Sequence, residues 1–242
     1  MRAAFVALVL ASALGSAAVA QEEAKLESAQ NNIADTASLQ RGAKYFVNYC
    51  LGCHSAKYVR YNRLAKDLQL TEQQLIDNLM FTGERPFDTM AIAARPEDQA
   101  RWFAKQPPDL SLIARSRGTD YLYTFLRSFY ADPSRPTGVN NIVLPGTAMP
   151  HVLWELQGVQ RAKFEQGEGG LEEFKGFESI RSGALPPEEY NEVVRDIVNF
   201  LDYIGEPVQR DRQALGIRVI AFLLVFWLIA YLLKKEIWKD VH

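Results

Sequence analysis

Three apolar patterns organise the 242-residue chain. The first lies at the amino end, where Arg2 precedes an apolar core, Ala3–Leu14, and Ala18-Val19-Ala20 supplies small residues before Gln21. This pattern predicts a secretory signal peptide over 1–20 that is cleaved before Gln21 and takes no part in the fold. The second is the uncharged run VIAFLLVFWLIAYLL at 219–233. Its fifteen residues rise only about 22 Å as a helix, short of the roughly 30 Å hydrocarbon core. Extending back to Ala214 closes the gap if Arg218 snorkels to the interface, and Trp238 with Lys234, Lys235 and Lys239 suits the opposite interface. A membrane anchor over 210–235 follows, with a short tail at 236–242. Arg210, Arg212 and Arg218 before the span balance the three lysines after it, so charge alone does not orient it.

The third pattern is helical periodicity between these ends. Leu39, Ala43, Phe46 and Cys50 form one apolar stripe, with Asp35 or Thr36 as its N-cap. Thr71-Glu72-Gln73-Gln74 is a capping box opening a short helix through about Met80, which Gly83 and Pro86 end. Residues 83–109 show little periodicity. DYLYTFLRSFY at 120–130 reads as an aromatic-rich helix, and 131–150 is rich in Pro and Gly turns. Pro187–Gly205 is the clearest amphipathic helix, with Tyr190, Val193, Val194, Ile197, Leu201 and Ile204 on one face and Gly205 and Pro207 as the stop. No convincing alternating strand is visible. The expected fold class is all-α, one domain over 21–209 with long loops, plus the carboxy-terminal span.

Composition adds bounds. Roughly 190 residues between the two end signals suffice for one domain with a real core. The formal net charge of −2 names no partner, and no Lys/Arg cluster invites nucleic acid. There is no internal repeat and no low-complexity tract.

The candidate chemistry sits in NYCLGCHS, 48–55, which holds both cysteines and one of the three histidines. A structural zinc site needs four ligands, and no second Cys/His pair exists. A thioredoxin-type pair belongs beside a βαβ pattern, whereas the surroundings read as helix. Cys-x-x-Cys-His instead marks covalent attachment of a c-type haem. Positions i, i+3 and i+4 share a helix face, so Cys50 and Cys53 can add to two porphyrin vinyl groups while His54 ligates the iron. The other imidazole nitrogen then needs a carbonyl acceptor. An exported haem motif places the domain outside the cytoplasm and the tail inside.

For the opposite face of the iron the residues leave Met149, His151 and Met90 open. Met149 lies in the Gly/Pro-bracketed LPGTAMPH, His151 lies two residues on, and Met90 falls in a loop. Met80 ends an apolar helix and reads as core, and His242 lies across the membrane.

Four stretches, CHSAKYVRYNRL, PPDLSLIARSRG (107–118), DYLYTFLRSFY and LPGTAMP (144–150), resemble the cytochrome c1 family in its order along the chain. That family is the haem subunit of the ubiquinol–cytochrome c reductase (cytochrome bc1) complex. The resemblance implies one covalent haem c, Met149 as the axial partner of His54, and Arg117 beside a haem propionate, with Tyr121 nearby. It gives His151 no role, which leaves it an ordinary polar neighbour, and this chain lacks the second cysteine pair found in some members. It further implies one-electron transfer from the Rieske iron–sulfur protein to a soluble cytochrome c or equivalent acceptor, in an enzyme complex whose haem subunit alone only carries electrons. The span would sit beside cytochrome b in a bacterial inner membrane, with the haem domain periplasmic.

Between Glu165 and Glu192 lie eight glutamates against Lys175 and Arg181, a surface that would steer a basic partner or a solvated loop with no partner. Two other readings share the haem motif. One is a stand-alone membrane-anchored c-type cytochrome feeding a terminal oxidase, and the other a haem enzyme or gas sensor with a vacant sixth position.

Overall fold

A computed structural model describes residues 25–167 and 172–239. The expected signal peptide, Glu168 and His242 lie outside these residues.

Helix α1 (Thr36–Tyr45) starts where the sequence places it, with the Asp35 carboxylate accepting from Ser38 N at 3.1 Å. All four residues of its predicted stripe are buried. The last turn does not stay α-helical: Phe46–Cys50 widens to one π turn, closed by Leu51 N donating to Phe46 O at 3.0 Å. Strand β1 (Ala56–Arg60) follows, then helices α2 (Tyr61–Asp67) and α3 (Glu72–Asn78). The capping box at Thr71 and Gln74 is formed in both directions.

The irregular excursion carries short elements. Strand β2 (Thr89–Met90) pairs antiparallel with β1, and α4 (Pro96–Phe103) precedes the double proline. Helices α5 (Ile113–Arg117) and α6 (Thr119–Arg127) follow, then a small antiparallel pair of β3 (Phe129–Ala131) and β4 (Val139–Asn141).

The absence of strands expected from the pattern fails most clearly after α7 (Trp154–Gln157). Strands β5 (Gly158–Gln166) and β6 (Glu172–Ser182) form a long antiparallel hairpin, from Gly158 opposite Ser182 to Gln166 opposite Glu172. Irregularities after Val159 and Lys163 shift its register, so the apolar residues lose the period of two that reveals a strand. Its acidic residues Glu165, Glu173 and Glu178 are exposed, and Lys163 and Lys175 pair with Glu178 and Glu173.

Helix α8 (Pro187–Gly205) buries all six predicted apolar residues and packs on α1. The approach is close enough that a Cβ on Gly42 would sit 2.1 Å from the Asp196 carbonyl oxygen. Buried polar groups fix the register of the pair. Asp196 accepts from Arg41 Nε at 2.6 Å and from Ser38 Oγ at 2.7 Å, while Asn199 donates to Ser38 Oγ. The chain before α1 straps across the other side of α8, with Ala29 N on Asp120 and Arg195 Nε on the Ala29 carbonyl. The last helix, α9 (Gln209–Ile237), is apolar and exposed on every side over Val219–Leu233, and its length and composition fit a single-pass membrane anchor. Arg115 of α5 and Arg212 of α9 both donate to Glu206, tying the anchor to the domain. The helical class thus holds, with three two-stranded sheets added among the described residues.

Candidate haem-attachment site

The π turn delivers Cys50 at the edge of the core. From there the chain closes one further tight turn, with His54 N donating to Cys50 O at 2.9 Å and Cys53 N to the same oxygen at 3.1 Å. The i, i+3, i+4 arrangement therefore survives in this turn, although the α-helix itself stops earlier. Cys50 is buried, while Cys53 and His54 are half-buried, and neither sulfur is in a disulfide.

Residues 107–111 lie along 54–58 and brace it. His54 Nδ1 is 2.7 Å from the Pro108 carbonyl oxygen. A carbonyl can only accept, so Nδ1 carries the proton and Nε2 keeps a free lone pair, the tautomer a metal-bound imidazole requires. Leu110 N donates to Ser55 O at 2.8 Å, Lys57 N to Asp109 Oδ2 at 3.0 Å, and Tyr58 N to Ser111 Oγ at 3.1 Å. Gln99 Nε2 donates to Cys53 O at 2.9 Å. The sequence pattern singles out the cysteines and histidine but neither Pro108 nor Gln99. The one local hint at Pro108 is the proline pair, which favours an extended chain.

Electrostatics narrows what the site can hold. Burial pushes the Cys50 thiol up to about 12, with Cys53 adding to the effect. Burial therefore disfavours the free thiolate at Cys50, and an uncharged thioether suits the same surroundings. Burial also pulls the His54 imidazole below its ordinary value, against the opposing pull of the Pro108 carbonyl and Asp109. The neutral ring is the form that binds iron. Among the described residues no group of three or more His, Cys, Asp or Glu could hold a bare metal ion. A haem, which brings four nitrogens of its own, fits this donor set.

The candidates for the opposite face separate by environment. Met90 is fully enclosed by protein, with its strand paired to Ala56. Met80 packs on the core. His151 is no ordinary polar neighbour: it is buried and stacked on Phe129 at 5.1 Å between centroids, and burial pulls its imidazole down to about 4. Met149 stays half-buried against the core, at the end of a loop with its own supports. Asn141 Oδ1 accepts from Val143 N and Leu144 N, Asn140 Oδ1 from Gly146 N, and Arg135 donates to Gly146 O. Gly146 has a φ of 77°, which a side chain there would oppose. Arg117, at the end of α5, is exposed with its guanidinium 5.5 Å from the Tyr121 ring.

A sequence profile of the Cytochrome C1 family matches residues 28–163 and 185–241. The chain belongs to the cytochrome c1 family. Members carry one covalently attached haem c, and so does this chain. Cytochrome c1 of Allochromatium vinosum is 52% identical over 219 residues, covering 90% of each chain. A protein of Nitrosomonas europaea named ammonia monooxygenase gamma subunit is 46% identical over 221 residues, covering 91% of each. More distant is the cytochrome b-c1 complex catalytic subunit, mitochondrial, of Candida albicans, 25% identical over 86% of this chain and 73% of that one. The stretch that the family profile skips, 164–184, takes in the end of β5 and the whole of β6.

Proposed function

We propose that this chain is the haem subunit of a cytochrome bc1 complex and that Cys50, Cys53, His54 and Met149 hold its haem. The haem, when bound, supplies one-electron chemistry between ferric and ferrous iron. The observation that carries the assignment is the His54–Pro108 bond, because it leaves Nε2 as the free nitrogen of a neutral ring within a turn that also presents both sulfurs. His54 and Met149 would hold the iron, leaving no place for a substrate, and the chain's work would be to hold, orient and tune the group. Arg117 would pair with a propionate and offset its charge through paired N–H groups. The α9 span anchors the domain beside cytochrome b, with the haem on the periplasmic side.

Electrons arrive from the Rieske iron–sulfur protein and leave to a soluble cytochrome c or equivalent carrier. The exposed glutamates of the hairpin and of the start of α8 support a basic acceptor, steered by charge. The test is rapid mixing of the membrane-purified assembly with ubiquinol while the haem band is followed. Reduction that disappears when the Rieske protein is stripped, and returns on its addition, supports the reading. Undiminished haem reduction without the Rieske protein sinks it, as does purification free of cytochrome b, which would favour the stand-alone carrier.

A further inference from the structure

Helix α4 is held to the protein in an unusual way. Gln99 is its one buried residue, 4% exposed, while Arg95 and Arg101 clasp Asp98 on the outer face. An apolar side chain would anchor such a helix without desolvating an amide, so the buried polarity calls for a partner-specific reason. The partner is the peptide that joins Cys53 to His54. Its carbonyl accepts from Gln99 Nε2 at 2.9 Å, and its N–H donates to Cys50 O at 2.9 Å. This peptide is thus gripped on both edges. It carries the Cα of His54, whose ring is gripped in turn by the Pro108 carbonyl.

We propose that Gln99 is a positioning residue for the haem: it locks the Cys53–His54 peptide and so fixes the plane and tilt of the axial imidazole. The amide also turns the positive end of its N–H dipole toward the ligand-bearing turn, which disfavours the ferric charge and raises the potential. The inference rests on His54 being the axial ligand.

The experiment uses the full-length chain purified in detergent, as wild type, Gln99→Leu, Gln99→Glu and His54→Ala. Attached haem is read by peroxidase stain of a denaturing gel, ligand geometry by the ferric electron paramagnetic resonance g-values, and tuning by redox titration. Gln99→Leu keeps its stain, shifts its g-values and changes the oxidised-to-reduced ratio at fixed ambient potential by threefold to tenfold toward oxidised. For one electron that is about 30–60 mV downward. Gln99→Glu shifts further the same way, since a carboxylate faces the carbonyl. Wild-type g-values and potential in either stained variant overturn the proposal. Loss of stained chain in both marks Gln99 as a folding anchor and overturns it as well. A low-spin spectrum that survives His54→Ala instead removes the axial assignment, whatever Gln99 does.

Discussion

Arg117 and His151 show how differently two polar side chains can be used. His151 has its ring stacked on Phe129 and its charge suppressed by burial, which suits a packing role. Arg117 is exposed and free to reach a carboxylate, with the Tyr121 ring against its guanidinium. A cation beside the haem disfavours the ferric state, so Arg117→Gln is expected to lower the reduction potential while leaving the haem attached, and Arg117→Lys to recover part of the loss. Redox titration of the two variants checks this, and equal potentials in all three proteins would place Arg117 away from the propionates. Attachment has its own signature. Cys50→Ala leaves one vinyl group unreacted, and the alkaline pyridine haemochrome spectrum should shift to the red with the stain retained. An unchanged spectrum would contradict a thioether at Cys50.

The elements rest on contacts that the sequence discloses unevenly. Helices α1 and α8 are legible because their apolar stripes run unbroken and their ends carry caps. The hairpin is not, because the two register irregularities pass over Lys175 and Ile180 of β6 in the ladder and space Phe174, Phe177 and Ile180 by three rather than two. The CxxCH turn is legible, yet its braces are not, since Gln99 and Pro108 lie 46 and 54 positions away along the chain from the groups they hold. Local pattern carries no information about such pairings. The methionines divide the same way: spacing leaves both Met90 and Met149 open, and only folding encloses one and leaves the other half-buried. The α1–α8 contact yields a sharp expectation. Gly42→Ala drives a methyl group into the Asp196 backbone, where nothing flexible can yield, and should destabilise the domain by about 2–3 kcal/mol. Gly216→Ala, whose added carbon meets nothing within 4 Å, serves as the control in denaturant titrations. Equal midpoints for the two variants would contradict the close packing.

At the scale of the whole molecule, the haem-bearing domain and the anchor meet at a charged joint, where Arg115 and Arg212 converge on Glu206. The core of the domain does not include α9, whose residues are exposed apart from partial cover at Gln209 and Gly216. Ending the chain after Pro207 should therefore give a water-soluble haem protein with an unaltered visible spectrum, whereas a spectrum that changes on truncation would show that the anchor shapes the haem pocket. Electron transfer to a basic soluble cytochrome should slow as salt rises, because the exposed glutamates act at long range. The proposed haem would have both sides of its iron held by this chain, by His54 and by Met149. The most direct test is a redox titration of the detergent-solubilised protein beside Met149→Leu, with carbon monoxide added to each ferrous form. The parent should show a high potential and no rapid carbon monoxide binding, and the variant a sharply lower potential with a reactive sixth position. A parent that binds carbon monoxide at once, or a potential indifferent to the substitution, would contradict this ligation.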